Sequence, residues 1–403
     1  MAKKILVIDD SALMRRVISD IINESNEYEV AAIAKDGVEG FDMIVSNPNL
    51  YSAIILDINM PKMNGLELLR NLQKNHIEQT VIVVSTVAKE GAKETIQALE
   101  YGAFDFVTKP ENYFETKGDN FKQRIYNMLN VATNTKASLE RTGGISKPST
   151  TGSFGSRLPK GSTVIGKTSF SGTDKQASGA AVSALRKRNE QNETVPQKVN
   201  PSRFLNIKSG SRKIVALACS TGGPKSLQQV IPMLPKNLDA GIVLVQHMPA
   251  GFTASLAARL NEISDIRVKE GADGDIIEKG CVYIAPGGKH MTVARSGSDY
   301  AIKISEEPPV EGLRPCANIM YKSLVNCNFD EITCVVLTGM GADGTEGIKT
   351  LSSSRKKIHV IAQDEDSSVV YGMPKAIANA GLVDEVVPLD KIAETITKNV
   401  GVS

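Results

Sequence analysis

A serine, a histidine and an aspartate each follow an apolar run in the second half of this 403-residue chain. Ser220 follows KIVALAC, His247 follows GIVLVQ, and Asp343 lies in the glycine-rich turn after ITCVVLTG. A hydroxyl nucleophile needs a base, and the base needs a group that orients it. Because the carboxyl ends of parallel strands meet at one edge of a sheet, the three side chains are candidates for a catalytic triad.

The segment STGGPKS, which begins at Ser220, also raises the possibility of a phosphate-binding loop. Such loops follow G-x-x-x-x-G-K-[ST] or G-x-G-x-x-G. Here Pro224 lacks the backbone N–H that would face an anion, and no third glycine has the required spacing. A nucleotide-binding output domain is therefore disfavoured. A module that only binds a partner stays open, because Ser220 could simply cap the next helix.

The chain has four histidines, so the choice of base is narrow. We expect His76 at a helix end of the first domain and His359 inside the strand KIHVIA. His290 is expected to line the cleft. His247 is the predicted base.

A second group of reactive side chains follows the apolar runs of the first half of the chain. Asp9 and Asp10 follow the first run, Asp57 the third, and Lys109 the fifth. Neighbouring carboxylates that ionise together need a cation, and an all-oxygen set suits Mg²⁺. Asp57 is the predicted nucleophile toward a phosphoryl donor, with Mg²⁺ and Lys109 neutralising the developing charge.

The elements that must position these residues are two α/β domains. Residues 1–131 contain five β/α repeats, which predict a parallel sheet with helices on both faces. Residues 132–210 are rich in Ser, Thr, Gly and Asn, with 13 Lys or Arg against 4 Asp or Glu over 127–210, and predict a flexible basic linker. Regular alternation returns over 211–403 and predicts a doubly wound parallel sheet with one antiparallel hairpin at 290–306.

Composition restricts the possible partners. The net charge of +2 gives no sign of a nucleic-acid partner, and no apolar run approaches the roughly 20 residues of a membrane span. We expect a cytoplasmic protein without membrane insertion. The five cysteines form no C-x-x-C pair and are expected to be buried, reduced thiols.

The motifs VIDDS, LDINMPKMNGLELL and FVTKP resemble the receiver domain of two-component response regulators over residues 3 to about 128. The resemblance implies Mg²⁺ at Asp9, Asp10, Asp57 and the backbone carbonyl of Asn59, with the phosphoryl group on Asp57. It also implies Ser85, Phe106 and Lys109 as the residues of the receiver switch, and a cis bond between Lys109 and Pro110. Thr86 is the alternative hydroxyl, but Ser85 directly follows the apolar run VIVV.

The motifs CSTGGP, QHMPAGFT, YIAPGGKHMTV, VLTGMGADGTEGI and AQDEDSSVVYGMPKAI resemble the catalytic domain of the chemotaxis protein-glutamate methylesterases, the CheB-type response regulators. The resemblance implies hydrolysis of glutamate γ-methyl esters on chemoreceptors, glutamine deamidation, and no cofactor for the esterase. It implies a histidine kinase as phosphoryl donor, and we expect a monomer. Backbone N–H groups near Met340 and Thr221 are the predicted oxyanion hole.

Some residues depart from the family pattern. Cys219 stands where the family usually has a small residue, and we interpret it as a packing residue. Leu313, Cys316 and Asn318 stand where His, Ser and Asp are expected, which bears on how the substrate is positioned. The linker is also longer than the two domains require, and a long tether lowers the effective concentration of a covering domain.

Overall fold

The computed structural model describes residues 2–86, 88–110, 119–142 and 213–403. Most of the predicted linker, 132–210, lies outside these residues. Its described part continues the last helix of the first domain, Asp119–Thr142, beyond the predicted boundary at 131.

The first domain contains a five-stranded parallel sheet in the order β2-β1-β3-β4-β5. Its strands are β1 Lys3–Ile8, β2 Tyr28–Ala34, β3 Ala53–Asp57, β4 Val81–Ser85 and β5 Asp105–Thr108. Its described helices are α1 Ala12–Asn23, α2 Gly37–Ser46, α3 Gly65–Lys74, α4 Lys89–Glu100 and α5 Asp119–Thr142. The five strands coincide with the five apolar runs. β3, β4 and β5 are buried throughout, as in a parallel sheet covered on both faces, whereas the edge strand β2 exposes alternate residues.

The order of this sheet reverses at β1, which lies between β2 and β3. Loops after the two strands on either side of a reversal diverge and leave a crevice at the carboxyl edge. Asp9 and Asp10 follow β1 and Asp57 ends β3, so the sequence places the acidic residues in this crevice.

The second domain contains a seven-stranded parallel sheet in the order β14-β13-β12-β6-β7-β9-β8 and a separate two-stranded antiparallel hairpin. The strands of the sheet are β6 Lys213–Cys219, β7 Gly241–Gln246, β8 Arg267–Glu270, β9 Cys281–Ile284, β12 Glu331–Val336, β13 Ile358–Gln363 and β14 Glu385–Val387. The hairpin strands are β10 His290–Ser296 and β11 Asp299–Ser305. The helices are α6 Gly223–Val230, α7 Phe252–Ile263, α8 Ala317–Ser323, α9 Thr345–Ser352, α10 Met373–Asn379 and α11 Ile392–Val400. The predicted fold class of both domains is confirmed.

One strand of the second sheet was not predicted. β8 has the sequence RVKE and occupies an edge of the sheet, where only Val268 is buried. An edge strand exposed to water carries no continuous apolar run, so periodicity gives little signal for it.

The second sheet reverses its order at β6, which pairs with β12 on one side and β7 on the other. Ser220 follows β6 directly and donates its backbone N–H to the Thr338 carbonyl beyond β12 at 3.0 Å. The turn into α6 needs Gly222, which has φ 76° and approaches Val369 so closely that a Cβ would lie 2.4 Å from the valine Cβ. The nucleophile candidate therefore lies at the switch point of the sheet. Among the described helices, none is both long and apolar enough to cross a membrane.

Candidate active site and phosphorylation site

The structure brings His247 and Asp343 into direct contact. His247 Nε2 lies 2.8 Å from Asp343 Oδ2, and both side chains are largely buried. A carboxylate can only accept hydrogen bonds, so Nε2 carries the proton and Nδ1 has a free lone pair. The aspartate therefore selects the tautomer in which Nδ1 can act as a base.

Asp343 belongs to the loop before α9, and its carboxylate contacts the first residues of α8, where several donors converge on it. Ala317 N–H donates at 2.6 Å, Asn318 N–H at 2.9 Å and Gly344 N–H at 2.9 Å. Burial acts to raise the pKa of Asp343, but the hydrogen bonds from His247, Ala317 and Asn318 hold that pKa below its ordinary value. The carboxylate consequently stays ionised and its position is fixed by backbone groups.

Ser220, Thr221, His247 and Met340 line one cavity of about 200 Å³. Among the described contacts, the Ser220 hydroxyl has no hydrogen bond to His247, and active-site bonds are often loose without substrate. The backbone N–H groups of Thr221 and Met340 also donate no hydrogen bond to another described group. Unused donors beside the nucleophile are what the predicted oxyanion hole requires.

Two of the residues that depart from the family pattern contact Asp343 or its loop. The Cys316 thiol lies 3.2 Å from Asp343 Oδ1. The Asn318 side chain accepts hydrogen bonds from Gly344 N–H at 3.1 Å and Gly347 N–H at 2.7 Å. They therefore support the aspartate loop. Leu313 is part of a tight turn in which it exchanges backbone hydrogen bonds with Val310.

The remaining histidines lie outside the triad contacts. His290 is fully buried and contacts the Pro308 carbonyl at 3.2 Å, and His359 contacts Glu385 at 2.8 Å. The five cysteines are free and buried, as expected for reduced thiols.

The acidic residues of the first domain also converge. Asp9, Asp10 and Asp57 each offer a carboxylate oxygen within 4.8 Å of the others, and this oxygen set fits Mg²⁺. Lys109 Nζ lies 2.9 Å from Asp9 and 2.8 Å from Asp57. Burial raises the pKa of Asp57 to about 6, although Lys109 acts in the opposite direction. Three carboxylates, of which Asp10 is exposed, share one lysine, and this leaves negative charge that a bound cation would balance.

The other predicted receiver residues lie around this cluster. Asn59 follows Asp57 by two residues, and its side chain donates to Glu94 at 3.1 Å. Ser85 ends β4, is buried, and its hydroxyl contacts the Gly91 carbonyl at 3.2 Å. Thr86, the alternative hydroxyl, is exposed.

The expected cis bond between Lys109 and Pro110 is wrong, since the cis bond among the described residues is Arg314–Pro315. Both isomers of an X–Pro bond are accessible at small energetic cost, so the resemblance alone could not fix it.

Two residues at the start of β5 connect the first domain to the cleft of the second. The Phe106 ring stacks on Phe252 of α7 with centroids 4.6 Å apart. The Asp105 carboxyl group faces the Thr221 side chain and the Gly222 N–H, next to Ser220, and both groups act to lower its pKa. Farther out, Arg259 donates two hydrogen bonds to Glu100, at 3.0 and 2.6 Å. Phe106 was predicted from sequence, whereas Asp105 was only a polar residue in a short strand.

Comparisons with known proteins identify the two domains. A family model described as a response regulator receiver domain matches residues 5–116, and one described as CheB methylesterase matches residues 215–396. A protein-glutamate methylesterase/protein-glutamine glutaminase of Desulfotalea psychrophila is 39% identical over 400 residues, 98% of each chain. Its counterpart in Bacillus subtilis is 36% identical over 396 residues, 98% of this chain and 97% of that one.

Among solved structures, the catalytic domain of Thermotoga maritima CheB methylesterase is 40% identical, with a TM-score of 0.45, and covers 48% of this chain and 100% of that one. From the full-length relatives and the two family models, the chain belongs to the protein-glutamate methylesterase/protein-glutamine glutaminase family and carries a response regulator receiver domain ahead of its methylesterase domain.

Proposed function

We propose that this protein hydrolyses glutamate γ-methyl esters on the cytoplasmic domains of chemoreceptors, releasing methanol, and deamidates specific receptor glutamines during chemotaxis adaptation. The observation that carries the proposal is the 2.8 Å contact between His247 and Asp343 in the cavity that Ser220 shares. The names of the full-length relatives support the choice of substrate.

The reaction starts with attack of Ser220 Oγ on the ester carbonyl. His247 Nδ1 takes the serine proton as the C–O bond forms, and the charge on the carbonyl oxygen develops toward the Thr221 and Met340 N–H groups. The imidazolium then gives its proton to the departing methoxy group, which leaves as methanol. Asp343 stays ionised throughout and stabilises the imidazolium, as its lowered pKa favours.

Deacylation repeats these steps with water as nucleophile. His247 takes a proton from water, hydroxide adds to the acyl carbonyl, and Ser220 recovers the proton as the acyl bond breaks. A glutamate carboxylate is the product. An amide substrate follows the same path with ammonia as leaving group, so a receptor glutamine gives the same product.

In the receiver domain, Asp57 is the proposed phosphoryl acceptor, and a chemotaxis histidine kinase is the proposed donor. Asp9, Asp10, Asp57 and the carbonyl of Asn59 would hold Mg²⁺, which neutralises phosphoryl oxygens when bound. Lys109 reaches Asp57 and Asp9 from β5 and adds a fixed positive charge to the same site.

Phosphorylation is proposed to activate the esterase by removing the receiver from the cleft. Residues Asp105 to Thr108 of the receiver line the same cavity as Ser220 and His247, and its volume is about 200 Å³. A receptor helix is about 10–12 Å across with its side chains, so no such helix reaches Ser220 while the receiver is in place. Activity in this arrangement therefore requires separation of the two domains.

The proposal is tested by methanol release from methylated receptor membranes, with and without a small phosphodonor and Mg²⁺. We expect no release from Ser220→Ala, and release without a phosphodonor response from Asp57→Asn. Wild-type protein that labels with a serine-directed fluorophosphonate but releases no methanol would refute the substrate, and the absence of labelling at Ser220 would refute the nucleophile.

A further inference from the structure

A buried glutamine lies between the loops that carry the nucleophile and the base. Gln246 is the last residue of β7 and pairs in register with Cys219, the last residue of β6. It is 2% exposed. Ser220 and His247 are thus the first residues beyond the region where strand pairing fixes the backbone.

The side chain of Gln246 contacts both catalytic loops. Its Nε2 lies 3.0 Å from the Ser220 carbonyl and 3.2 Å from the His247 carbonyl. An amide NH₂ group has two donors, so one group can serve both carbonyls. Without it, these partly buried carbonyls would each lose a partner, and the two loops would lose a direct link.

The orientation of the amide is fixed by a third contact. Gln246 Oε1 lies 3.0 Å from the Cys219 sulfur, whose thiol hydrogen is the available donor. Burial raises the pKa of the Cys219 thiol, so it stays protonated and keeps that hydrogen. Cys219 is therefore more than the packing residue that its position suggested.

The space around the amide is equally restricted. A Cβ built on Gly223 would lie 2.0 Å from Gln246 Oε1, so the glycine at the start of α6 leaves room for the glutamine. The side chain is thus confined by the nucleophile turn that it supports.

We propose that Gln246 is a positioning residue that sets the relative placement of Ser220 and His247, with its amide oriented by Cys219. The inference rests on the proposed function, because it assumes that these two residues react together. A displacement of about 1 Å between reacting groups can cost about 100-fold in rate.

The principal variant is Gln246→Met, which keeps the length of the side chain and removes both donors. We expect its kcat to fall about 10- to 100-fold with KM within about twofold, because the substrate-binding surface is unchanged. The rate constant for fluorophosphonate labelling of Ser220 should fall in parallel. Labelling needs no receptor, so it tests Gln246 even if the proposed substrate is wrong.

The matched control is Gln363→Met. Gln363 is fully buried at the end of β13 and contacts Thr338 N–H and Ser367, but neither catalytic residue. Both variants should lower the melting temperature, and only Gln246→Met should lower labelling by more than about threefold. Equal losses in the two variants would show a general effect of removing a buried amide and would overturn the inference.

A second pair keeps the inference testable if Gln246→Met does not fold. Cys219→Ala removes the donor to Oε1 and should slow labelling about two- to fivefold, whereas Cys219→Ser should restore it because a hydroxyl also donates. Unchanged labelling in Cys219→Ala, or no recovery in Cys219→Ser, would contradict the role of the thiol. Unchanged labelling in a folded Gln246→Met would overturn the proposal as a whole.

Discussion

Replacing Asp105 by asparagine should strengthen the receiver's cover over the cleft. Asp105 is 8% exposed, accepts a hydrogen bond from Phe106 N–H at 2.9 Å, and faces the Gly222 N–H and the Thr221 side chain. It has no ion-pair partner among the described residues. Burial raises its pKa to about 6, because loss of water outweighs the hydrogen bonds that favour the ionised form.

The magnitude follows from this shift. Burial in the covered state raises the pKa of Asp105 from its ordinary 3.8 to about 6, and if separation of the domains exposes the carboxyl group to water, its pKa returns toward the ordinary value. At about 1.36 kcal/mol per unit, burying the carboxylate at neutral pH costs about 3 kcal/mol, or about 100-fold in the equilibrium between covered and open states. An asparagine at this position carries no charge, and its Oδ1 can still accept the Phe106 N–H hydrogen bond. We therefore expect Asp105→Asn to lower labelling of Ser220 without phosphodonor by about 10- to 100-fold.

The pH dependence has a definite sign. Because the pKa of Asp105 is higher in the covered state, covering the cleft takes up a proton. The stabilisation of the covered state by this proton is complete below about pH 4 and is lost as the pH rises through about 6. Arg124 and His247 line the same cavity, so Asp105 is not the sole charged or titratable group beside Ser220. To separate the effect of Asp105 on covering from other effects of pH, each labelling rate is divided by the phosphodonor-stimulated rate of the same variant at the same pH. In wild type this ratio should rise from pH 5 to 7, and in Asp105→Asn it should stay flat. Faster basal labelling in Asp105→Asn would refute the reasoning, since it would mean that the charge itself holds the cover.

Three further outcomes are expected. Glu100→Gln removes the ion pair with Arg259, which is partly exposed and worth about 1 kcal/mol, so basal labelling should rise about fivefold while the stimulated rate stays unchanged. Cys316→Ala removes a donor to Asp343 and should move the acid limb of the kcat/KM profile to higher pH by about half a pH unit. Cys316→Ser should move that limb back, because a hydroxyl also donates. Burial, aided by the nearby Asp343 charge, raises the pKa of the Cys316 thiol to about 12, and all five cysteines are buried, so iodoacetamide at neutral pH should modify native protein only after denaturant is added.

The sequence was informative wherever a site depends on strand ends. Parallel strands have their carboxyl ends at one edge of the sheet. A reactive residue directly after an apolar run is therefore predicted at that edge, and Asp57, Ser220 and His247 lie there. Asp343 required the additional step of placing a glycine-rich turn beyond its strand. In the structure Asp343 lies 2.8 Å from His247, at the end of the sheet where the turn was predicted.

The sequence was uninformative where a residue's role depends on contacts between distant segments. Gln246 ended an apolar run and carried no periodicity signal, and its bonds to the two catalytic loops appear only once β6 and β7 are paired. Asp105 belonged to a four-residue strand, and its burial against Thr221 depends on how two domains pack. Periodicity describes the faces of one element, and neither case is a property of one element.

The short strand β5 links the proposed phosphorylation site to the esterase cleft. Lys109, which directly follows the strand, contacts Asp57, while Asp105 at its beginning contacts the turn after Ser220. Four residues of extended chain span about 13 Å. Phe106 lies between these two contacts and stacks on Phe252.

A phosphoryl group on Asp57 would draw Lys109 to new oxygens. Because Lys109 directly follows β5, a small shift of the strand would disturb both the Asp105 contact and the aromatic stack. The buried charge of Asp105 makes that step easier, since the covered state at neutral pH already carries its cost.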